Sequence, residues 1–313
     1  MALGIWDLVL EKGSRNLRSL LEKCLISAII AAKRAGDEIL EVYLGDIDVI
    51  YKEDNSPLTL ADERAHRIIL KILRAFAQND IPILSEEGKD IPYEQRAAWE
   101  RLWLVDPLDG TKEFVKRRDE FTVNIALIEN NRPVVGVVYL PAVGSMYFAA
   151  EGLGSYKLEK IETVGLLLDE AGNSSETTLD VSTVVNEALK LPRNQPSGRP
   201  SNQINLVGSR SHGTEALSEF VEKLQENYDK VGFVPAGSAL KFCLVAEGKA
   251  DLYPRFGPTM EWDTAAGHCV VEQSGGVVVQ MNEKIPLAYN KKDLHNPYFI
   301  CLGKDFKTVS LPL

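Results

Sequence analysis

The spacing of apolar residues predicts two helices at the start of the chain. The first is predicted to run from about Leu20 to Tyr43, and the second to begin near Thr59, a helix-capping residue type followed three positions later by Asp62. In the second segment apolar residues recur every three or four positions, at Ala65, Ile68, Ile69, Ile72 and Phe76. This spacing gathers them on one side of a helix, by which the helix is predicted to pack.

Short apolar segments predict strands in the remainder of the first half. They are Ile47–Tyr51, Ile81–Leu84, Leu102–Val105, Thr122–Ile128, Val134–Leu140 and Ser145–Ala150. Asn130 and Asn131 lie between two of these segments and favour a turn. Residues 1–158 are therefore predicted to form an α+β half.

The second half, residues 159–313, has a different pattern. Asp169 to Gln203 is rich in Ser, Thr, Asn, Pro and Gly, which predicts an irregular insertion at about 169–203. Beyond it, helices predicted to begin at Thr214, Ser238 and Asp263 alternate with strands at Ile204–Gly208, Val231–Val234, Asp251–Tyr253, Val277–Val279 and Tyr298–Leu302. Such alternation predicts a layered α/β domain.

Composition narrows the classes of partner. The 313 residues carry 45 acidic and 35 basic side chains, so the net charge of −10 opposes binding to nucleic-acid polymers and anionic membranes. The four cysteines form no C-x-x-C pair, and the first residues do not resemble a signal peptide. The apolar stretch Cys24–Ala32, interrupted by Ser27, is too short to cross a bilayer. We therefore expect a cytoplasmic protein without a transmembrane segment.

Two aspartates directly after an apolar strand are the first candidate for chemistry. Asp106 and Asp109 flank a turn in which their carboxylates and the Leu108 carbonyl could converge on a hard cation. If a helical turn follows, the backbone N–H groups of Gly110 and Thr111 would offer an anion cradle. The alternative is an ordinary loop, since Asp, Pro and Gly are common in turns.

Further acidic residues lie at the ends of other predicted elements. Glu86 follows a strand, Asp54 lies in a loop before the second helix, and Asp263 begins a helix. Taken singly, Glu86 could be solvated surface, Asp263 a helix N-cap, and Asp62 an ordinary acid in a first helical turn.

Taken together, these segments resemble the inositol monophosphatase superfamily of Mg²⁺-dependent, lithium-sensitive phosphatases. The resemblance rests on four motifs in order, D-N-S-P-L-T-L-A-D, S-E-E, D-P-L-D-G-T-K-E-F and W-D-T-A-A-G, within Ile26–Gly276. Gly208–His212, Gly237–Gly248 and Tyr253–Thr259 resemble the bacterial 3′(2′),5′-bisphosphate nucleotidase branch, which acts in sulfur metabolism. The implied fold is a layered αβαβα sandwich with the metals where the halves meet.

The resemblance also implies residue roles. It implies two or three Mg²⁺ ions held by Glu86, Asp106, the Leu108 carbonyl, Asp109 and Asp263. It assigns Asp54 and Thr111 to the attacking water. Substrate contacts are implied for Gly110, Thr111, His212, Ser238, Lys241, Arg255 and Asp263.

From the residues themselves, Ser238 and Lys241 are three apart in a predicted helix and would point the same way. Lys241 could instead be a solvated surface lysine, and Arg255 could contact a phosphate or pair with an acid.

The expected reaction is hydrolysis of adenosine 3′,5′-bisphosphate to AMP and phosphate by metal-activated water. One alternative is a phosphatase for inositol monophosphate or another sugar phosphate, and another is a catalytically silent protein that binds a phosphometabolite. The expected partner is a small phosphorylated nucleotide, and the chain could be a monomer or a homodimer. Two departures from the nucleotidase branch bear on specificity: Ala239 replaces an expected serine, and the 169–203 segment is longer.

Overall fold

A computed structural model describes residues 3–45, 49–51, 57–76, 81–161, 180–193, 202–209 and 215–306, with the backbone alone for residues 3–17, 49–51, 57, 58 and 76. The helices are α1 (Leu3–Leu44), α2 (Leu60–Phe76), α3 (Tyr93–Arg96), α4 (Thr111–Val115), α5 (Val181–Asn186), α6 (Glu215–Gln225), α7 (Leu240–Glu247) and α8 (Glu261–Gln273).

Fourteen strands are present in the described residues. They are β1 (Val49–Tyr51), β2 (Pro57–Thr59), β3 (Ile83–Ser85), β4 (Arg101–Asp109), β5 (Thr122–Glu129), β6 (Arg132–Leu140), β7 (Ser145–Ala150), β8 (Gly154–Leu158), β9 (Leu189–Lys190), β10 (Gln203–Gly208), β11 (Lys230–Pro235), β12 (Leu252–Arg255), β13 (Val277–Gln280) and β14 (Phe299–Leu302).

The larger sheet has seven strands in the order β3 to β9. Strands β3 and β4 are parallel, and every following pair is antiparallel, as expected for strands joined by short connections. Central strands such as β5 are buried along nearly their whole length because both faces of the sheet are covered. Helices α1 and α2 pack together on one face, where Ala65 and Ile69 are buried in the core.

The smaller sheet has five strands in the order β11, β10, β12, β14, β13, with β10 parallel to both of its neighbours. Helices α7 and α8 lie between the two sheets, and a second apolar core fills this layer. Helix α6 covers the outer face of the smaller sheet through Phe220 and Leu224. The layers therefore follow the order αβαβα, and the predicted sandwich is confirmed.

Helix α8 lies very close to the larger sheet. A Cβ atom on Gly136 of β6 would lie 2.5 Å from the Ala266 carbonyl oxygen and 2.7 Å from the Cys269 Cβ. Only a residue without a side chain allows this approach. Position 136 therefore sets how deeply α8, whose first turn contains Asp263, sits against the sheet.

The prediction of an irregular insertion is wrong for residues 180–193. Asp180 caps α5 by accepting a hydrogen bond from the Thr183 N–H at 2.7 Å, and β9 pairs with β8. Val184 and Leu191 are buried, and the Leu191 N–H donates to the Ser155 carbonyl at 2.8 Å. The remaining parts of the segment lie largely outside the described residues, and the division at residues 158 and 159 stays a prediction.

A second difference concerns Ser238, which was predicted to lie within a helix. Helix α7 begins at Leu240, and Ser238 precedes it with φ of 41°, in the left-handed region. Among the described residues, no helix has the length and apolar character needed to span a membrane.

Candidate active site

The end of β4 carries the aspartate motif. Regular pairing with β5 is interrupted between Asp106 and Asp109, so the strand bends there. The Leu108 N–H donates to the Asp106 carboxylate at 3.1 Å, and Gly110 then turns the chain into α4 with φ of 88°. A left-handed turn of this kind favours glycine, which explains the residue that follows the aspartates.

The predicted carboxylate ligands lie within electrostatic reach of one another. Burial raises the pKa of Asp106 well above its usual range, and the charges of Glu86, Asp109 and Asp263 raise it further. Burial and the charge of Asp109 raise the pKa of Asp263 to about 8. The fold thus brings together four acidic side chains that repel one another.

This donor set fits a hard divalent cation in charge and in oxygen chemistry. Near it, the buried Oδ1 atom of Asn124 has no hydrogen-bond partner among the described residues, while its amide nitrogen lies 3.4 Å from the Asp109 carboxylate. Within those same residues, no three His, Cys, Asp or Glu side chains already form a coordination shell. Metal ligation by these residues therefore stays a prediction.

Asp263 has a structural contact as well. It is the third residue of α8, and its carboxylate accepts a hydrogen bond from the Met260 N–H at 2.9 Å. The alternative interpretation of Asp263 as the N-cap is therefore wrong, because Met260 occupies that position. One oxygen of the Asp263 carboxylate is used in this capping hydrogen bond, which fixes the direction of the side chain.

Asp62 is a site residue that the sequence interpretation treated as ordinary. It is buried, and its carboxylate accepts hydrogen bonds from the Thr59 N–H and hydroxyl, both at 2.7 Å. The Thr111 hydroxyl lies 3.3 Å from its other oxygen and 3.2 Å from the Leu108 carbonyl. Burial raises the pKa of Asp62 to about 6. The available signal was its position three residues after a capping threonine.

Lys241 is buried, with 6% of its surface exposed, so its interpretation as a solvated surface lysine is wrong. Its ammonium donates to the Ser238 carbonyl at 2.6 Å and interacts with the charge of Asp109. Burial lowers its pKa to about 8 although Asp109 opposes the shift. The side chain of Ser238 points to another loop, where its hydroxyl donates to the Glu120 carbonyl at 2.8 Å.

Arg255 is the last residue of β12. Its guanidinium donates to the carbonyl oxygens of Gly257 at 3.2 Å and Pro258 at 2.8 Å. Its charge acts on both Lys241 and Asp263. Two cationic side chains thus lie next to the carboxylate group. Asp54 and His212 lie outside the described residues.

Comparison with known proteins shows similarity to a family profile, to individual relatives and to solved structures. A profile of the inositol monophosphatase family matches residues 20–301. The chain is 46% identical over 272 residues to the 3′(2′),5′-bisphosphate nucleotidase CysQ of Shigella flexneri, an alignment that covers 86% of this chain and 95% of the relative. This chain belongs to the inositol monophosphatase family. Members of this family depend on Mg²⁺.

Solved structures place the fold within the same family. The crystal structure of CysQ from Bacteroides thetaiotaomicron, a bacterial member of the inositol monophosphatase family, matches with a TM-score of 0.78 and 43% identity over 91% of this chain and 98% of that one. The inositol monophosphatase of Thermotoga maritima matches with a TM-score of 0.62 and 23% identity over 88% of this chain and 91% of that one, which supports the fold alone.

Proposed function

We propose that this chain is a Mg²⁺-dependent 3′(2′),5′-bisphosphate nucleotidase that converts adenosine 3′,5′-bisphosphate to AMP and phosphate. The observation that carries the proposal is a buried group of repelling carboxylates directly beside a buried lysine. The first feature suits a metal-assisted phosphatase, and the second suits a substrate with more negative charge than one phosphate supplies. The 46% identity to a protein named for this activity supports the same substrate.

The proposed metal ligands are Glu86, Asp106, the Leu108 carbonyl, Asp109 and Asp263, which would hold two or three ions. Bound there, Mg²⁺ would neutralise charge on the phosphate and on the leaving oxygen. The mutual repulsion of these carboxylates is the support for the proposal, because a bound cation would relieve it.

Thr111 is proposed to orient the attacking water. Its single hydroxyl proton is directed to the Leu108 carbonyl or to Asp62, which lie at 3.2 and 3.3 Å. A lone pair on the hydroxyl oxygen then remains to accept a hydrogen bond from the water. Asp62 acts here as a positioning residue, held in turn by two bonds from Thr59. Asp54 is proposed, from the resemblance, to assist in deprotonating the water.

The nucleotide is proposed to lie across Gly110, Thr111, Ser238, Lys241 and Arg255, with His212 at its edge. Lys241 and Arg255 would contact the phosphate that is not cleaved, because they lie beside the carboxylate group rather than within it. In a chain with net charge −10, local cations are needed to admit a doubly phosphorylated ligand.

The test is a phosphate-release assay on adenosine 3′,5′-bisphosphate, inositol 1-phosphate and glucose 6-phosphate, with Mg²⁺ or with excess chelator. We expect the bisphosphate to have the highest kcat/KM, and we expect activity to vanish in chelator and return with Mg²⁺. A preference for inositol 1-phosphate would replace the nucleotidase assignment by the sugar-phosphate alternative. No release from any substrate would favour the catalytically silent alternative.

A cytoplasmic location is part of the same proposal. Its support is that Cys24, Cys243, Cys269 and Cys301 are all free and buried, as in proteins that fold with reduced thiols.

A further inference from the structure

Glu120 joins two loops from distant parts of the chain. It lies between α4 and β5, and it contacts the turn formed by Gly237 and Ser238 before α7. The Glu120 carboxylate accepts a hydrogen bond from the Gly237 N–H at 2.9 Å, and its backbone carbonyl accepts one from the Ser238 hydroxyl at 2.8 Å. The loop after the aspartate motif is therefore bonded directly to the turn that precedes Lys241.

This turn has a conformation that needs external support. Ser238 has φ of 41°, which residues with a side chain adopt at a cost, and Gly237 is buried, so its N–H must find a partner inside the protein. The Ser238 carbonyl in turn accepts the hydrogen bond from the Lys241 ammonium at 2.6 Å. The position of the turn therefore determines the position of the lysine charge.

The loop of Glu120, the turn at Gly237 and Ser238, and the turn at Gly110 pack closely against one another. A Cβ atom on Gly237 would lie 3.0 Å from the Glu120 carbonyl oxygen and 3.2 Å from its carboxylate. A Cβ atom on Gly110 would lie 3.4 Å from both the Glu120 carbonyl oxygen and the Ser238 Cβ. Close packing of this kind transmits a small displacement of one loop to the others.

We propose that Glu120 is a positioning residue that holds the Gly237–Ser238 turn, and with it Lys241, in register with the loop carrying the aspartate motif. The choice of substrate used to detect this role rests on the proposed function. Its effect should appear mainly on the ligand that uses Lys241, because Glu120 accepts hydrogen bonds from the Gly237–Ser238 turn, whereas Asp106 is placed by β4 and Asp263 by α8.

The experiment compares Glu120→Ala and Glu120→Gln with the wild type on adenosine 3′,5′-bisphosphate and inositol 1-phosphate, both with Mg²⁺. Glu120→Ala leaves the buried Gly237 N–H without its acceptor, and we expect the KM for the bisphosphate to rise about tenfold with kcat nearly unchanged. Glu120→Gln keeps an oxygen that can accept this bond, so it should restore most of the affinity. The KM for the monophosphate should change by less than about threefold.

Two further variants separate position from charge. Glu113 also acts on the charges of Lys241 and Asp109, and Glu113→Gln removes that charge without removing a bond to the turn, so it should affect both substrates alike. Gly237→Ala crowds the same contact from the opposite side and should reproduce the selective loss of Glu120→Ala. If Glu120→Ala does not fold, Gly237→Ala tests the proposal in its place.

An equal loss on both substrates in Glu120→Ala, or no recovery in Glu120→Gln, would overturn the positioning role. If the wild type prefers inositol 1-phosphate, the nucleotidase proposal fails separately. The role of Glu120 is then judged on that substrate by whether Glu120→Gln restores the KM that Glu120→Ala raises, and absence of this recovery would overturn it.

Discussion

Asp106 and Asp109 belong to one motif but have different electrostatic surroundings. The neighbouring charges that act most strongly on the pKa of Asp106, those of Glu86, Asp109 and Asp263, all raise it. Burial also raises the pKa of Asp109, but the ammonium of Lys241 opposes this shift more than any other neighbour. The two aspartates should therefore respond differently to neutralisation even though both are proposed metal ligands.

Asp106→Asn is expected to stabilise the metal-free protein by roughly 1–2 kcal/mol while removing most activity. Asparagine keeps an oxygen that can accept the Leu108 N–H but no longer repels three carboxylates. Asp109→Asn is the matched control, since it should be as inactive without gaining stability because Lys241 loses its countercharge. Urea denaturation in chelator measures the difference. A metal-free Asp106→Asn protein less stable than the wild type would contradict the repulsion argument.

Lys241→Ala is expected to lower kcat/KM for adenosine 3′,5′-bisphosphate about ten- to a hundredfold, the scale of ~1.5–3 kcal/mol for a hydrogen bond to a charged group. Activity on inositol 1-phosphate should barely change. Lys112→Ala, at an exposed position in α4, is the control for general loss of positive charge. Equal losses on both substrates would show that Lys241 serves Asp109 and the metal site instead.

At the scale of elements, the segment from α5 to β9 forms regular structure within residues 169–203, a stretch whose overall composition is mostly polar. Val184 packs in the core next to α1, whereas Leu191 packs in the layer between the sheets. Val181, Val185 and Ala188 also pack against the core next to α1, and β9 pairs with β8, so the segment is held by apolar contacts and by backbone hydrogen bonds. The segment is therefore expected to be a fixed edge of the larger sheet.

Leu191→Ala is expected to lower the free energy of unfolding by roughly 2–4 kcal/mol because it opens a cavity between the layers. Leu189→Ala, at a half-buried position two residues earlier, should cost clearly less. Hydrogen exchange should also show a protected Leu191 amide, because this N–H is bonded to Ser155. A similar loss of unfolding free energy in the two variants, together with rapid hydrogen exchange at the Leu191 amide, would show that the segment is a mobile insertion.

Most elements could be predicted because their apolar spacing follows one period for long enough. Helix α2 and strands β5 to β7 are cases in which burial on one or both faces leaves a clear pattern. Strand β4 was predicted to end at Val105 because Pro107 and the aspartates interrupt that pattern, although the strand continues to Asp109. The local spacing of apolar residues cannot predict a strand bend that the candidate active site stabilises.

The site could be predicted in its acidic residues but less well in its contacts. Motif resemblance singled out Glu86, Asp106, Asp109 and Asp263, whose charges act on one another in the structure, while their role as metal ligands stays a prediction. The burial of Lys241 and the bonds of Asp62 and Glu120 depend on loops that meet from distant parts of the chain. Such contacts leave no periodic signal in a single sequence.

For the whole molecule, the αβαβα layering places the acidic residues where elements of different layers converge. Asp106 and Asp109 come from the larger sheet, and Asp263 comes from a helix between the two sheets. Repulsion among them therefore acts on the packing of the layers as well as on ligand binding. A cation at this place should stabilise the whole fold.

The metal-free protein is expected to become less stable as the pH rises from 6 to 8. The pKa of Asp263 is raised to about 8 in the folded chain, so within this window the folded state holds a proton that the unfolded state has released. Stability then falls with rising pH up to about pH 8. The expected loss is roughly 1–2 kcal/mol.

Thermal or urea denaturation at pH 6 and 8, in chelator and in Mg²⁺, measures this dependence. Mg²⁺ should reduce it because the cation replaces the proton, and Asp263→Asn should reduce it in chelator. A metal-free protein whose stability is constant or rises between pH 6 and 8 would refute the electrostatic account of the site.

Helix α8 packs very closely against Gly136, so this position affects the candidate active site although glycine carries no functional group. Any side chain there would push the helix outward at Ala266, one turn from Asp263, and a displacement of about 1 Å at a catalytic centre can cost a hundredfold in rate. A genetic screen would then record Gly136→Ala as a loss of function although no proposed metal-binding residue had been changed. An evolutionary survey of relatives should accordingly find position 136 as restricted as the acidic residues that it helps to align.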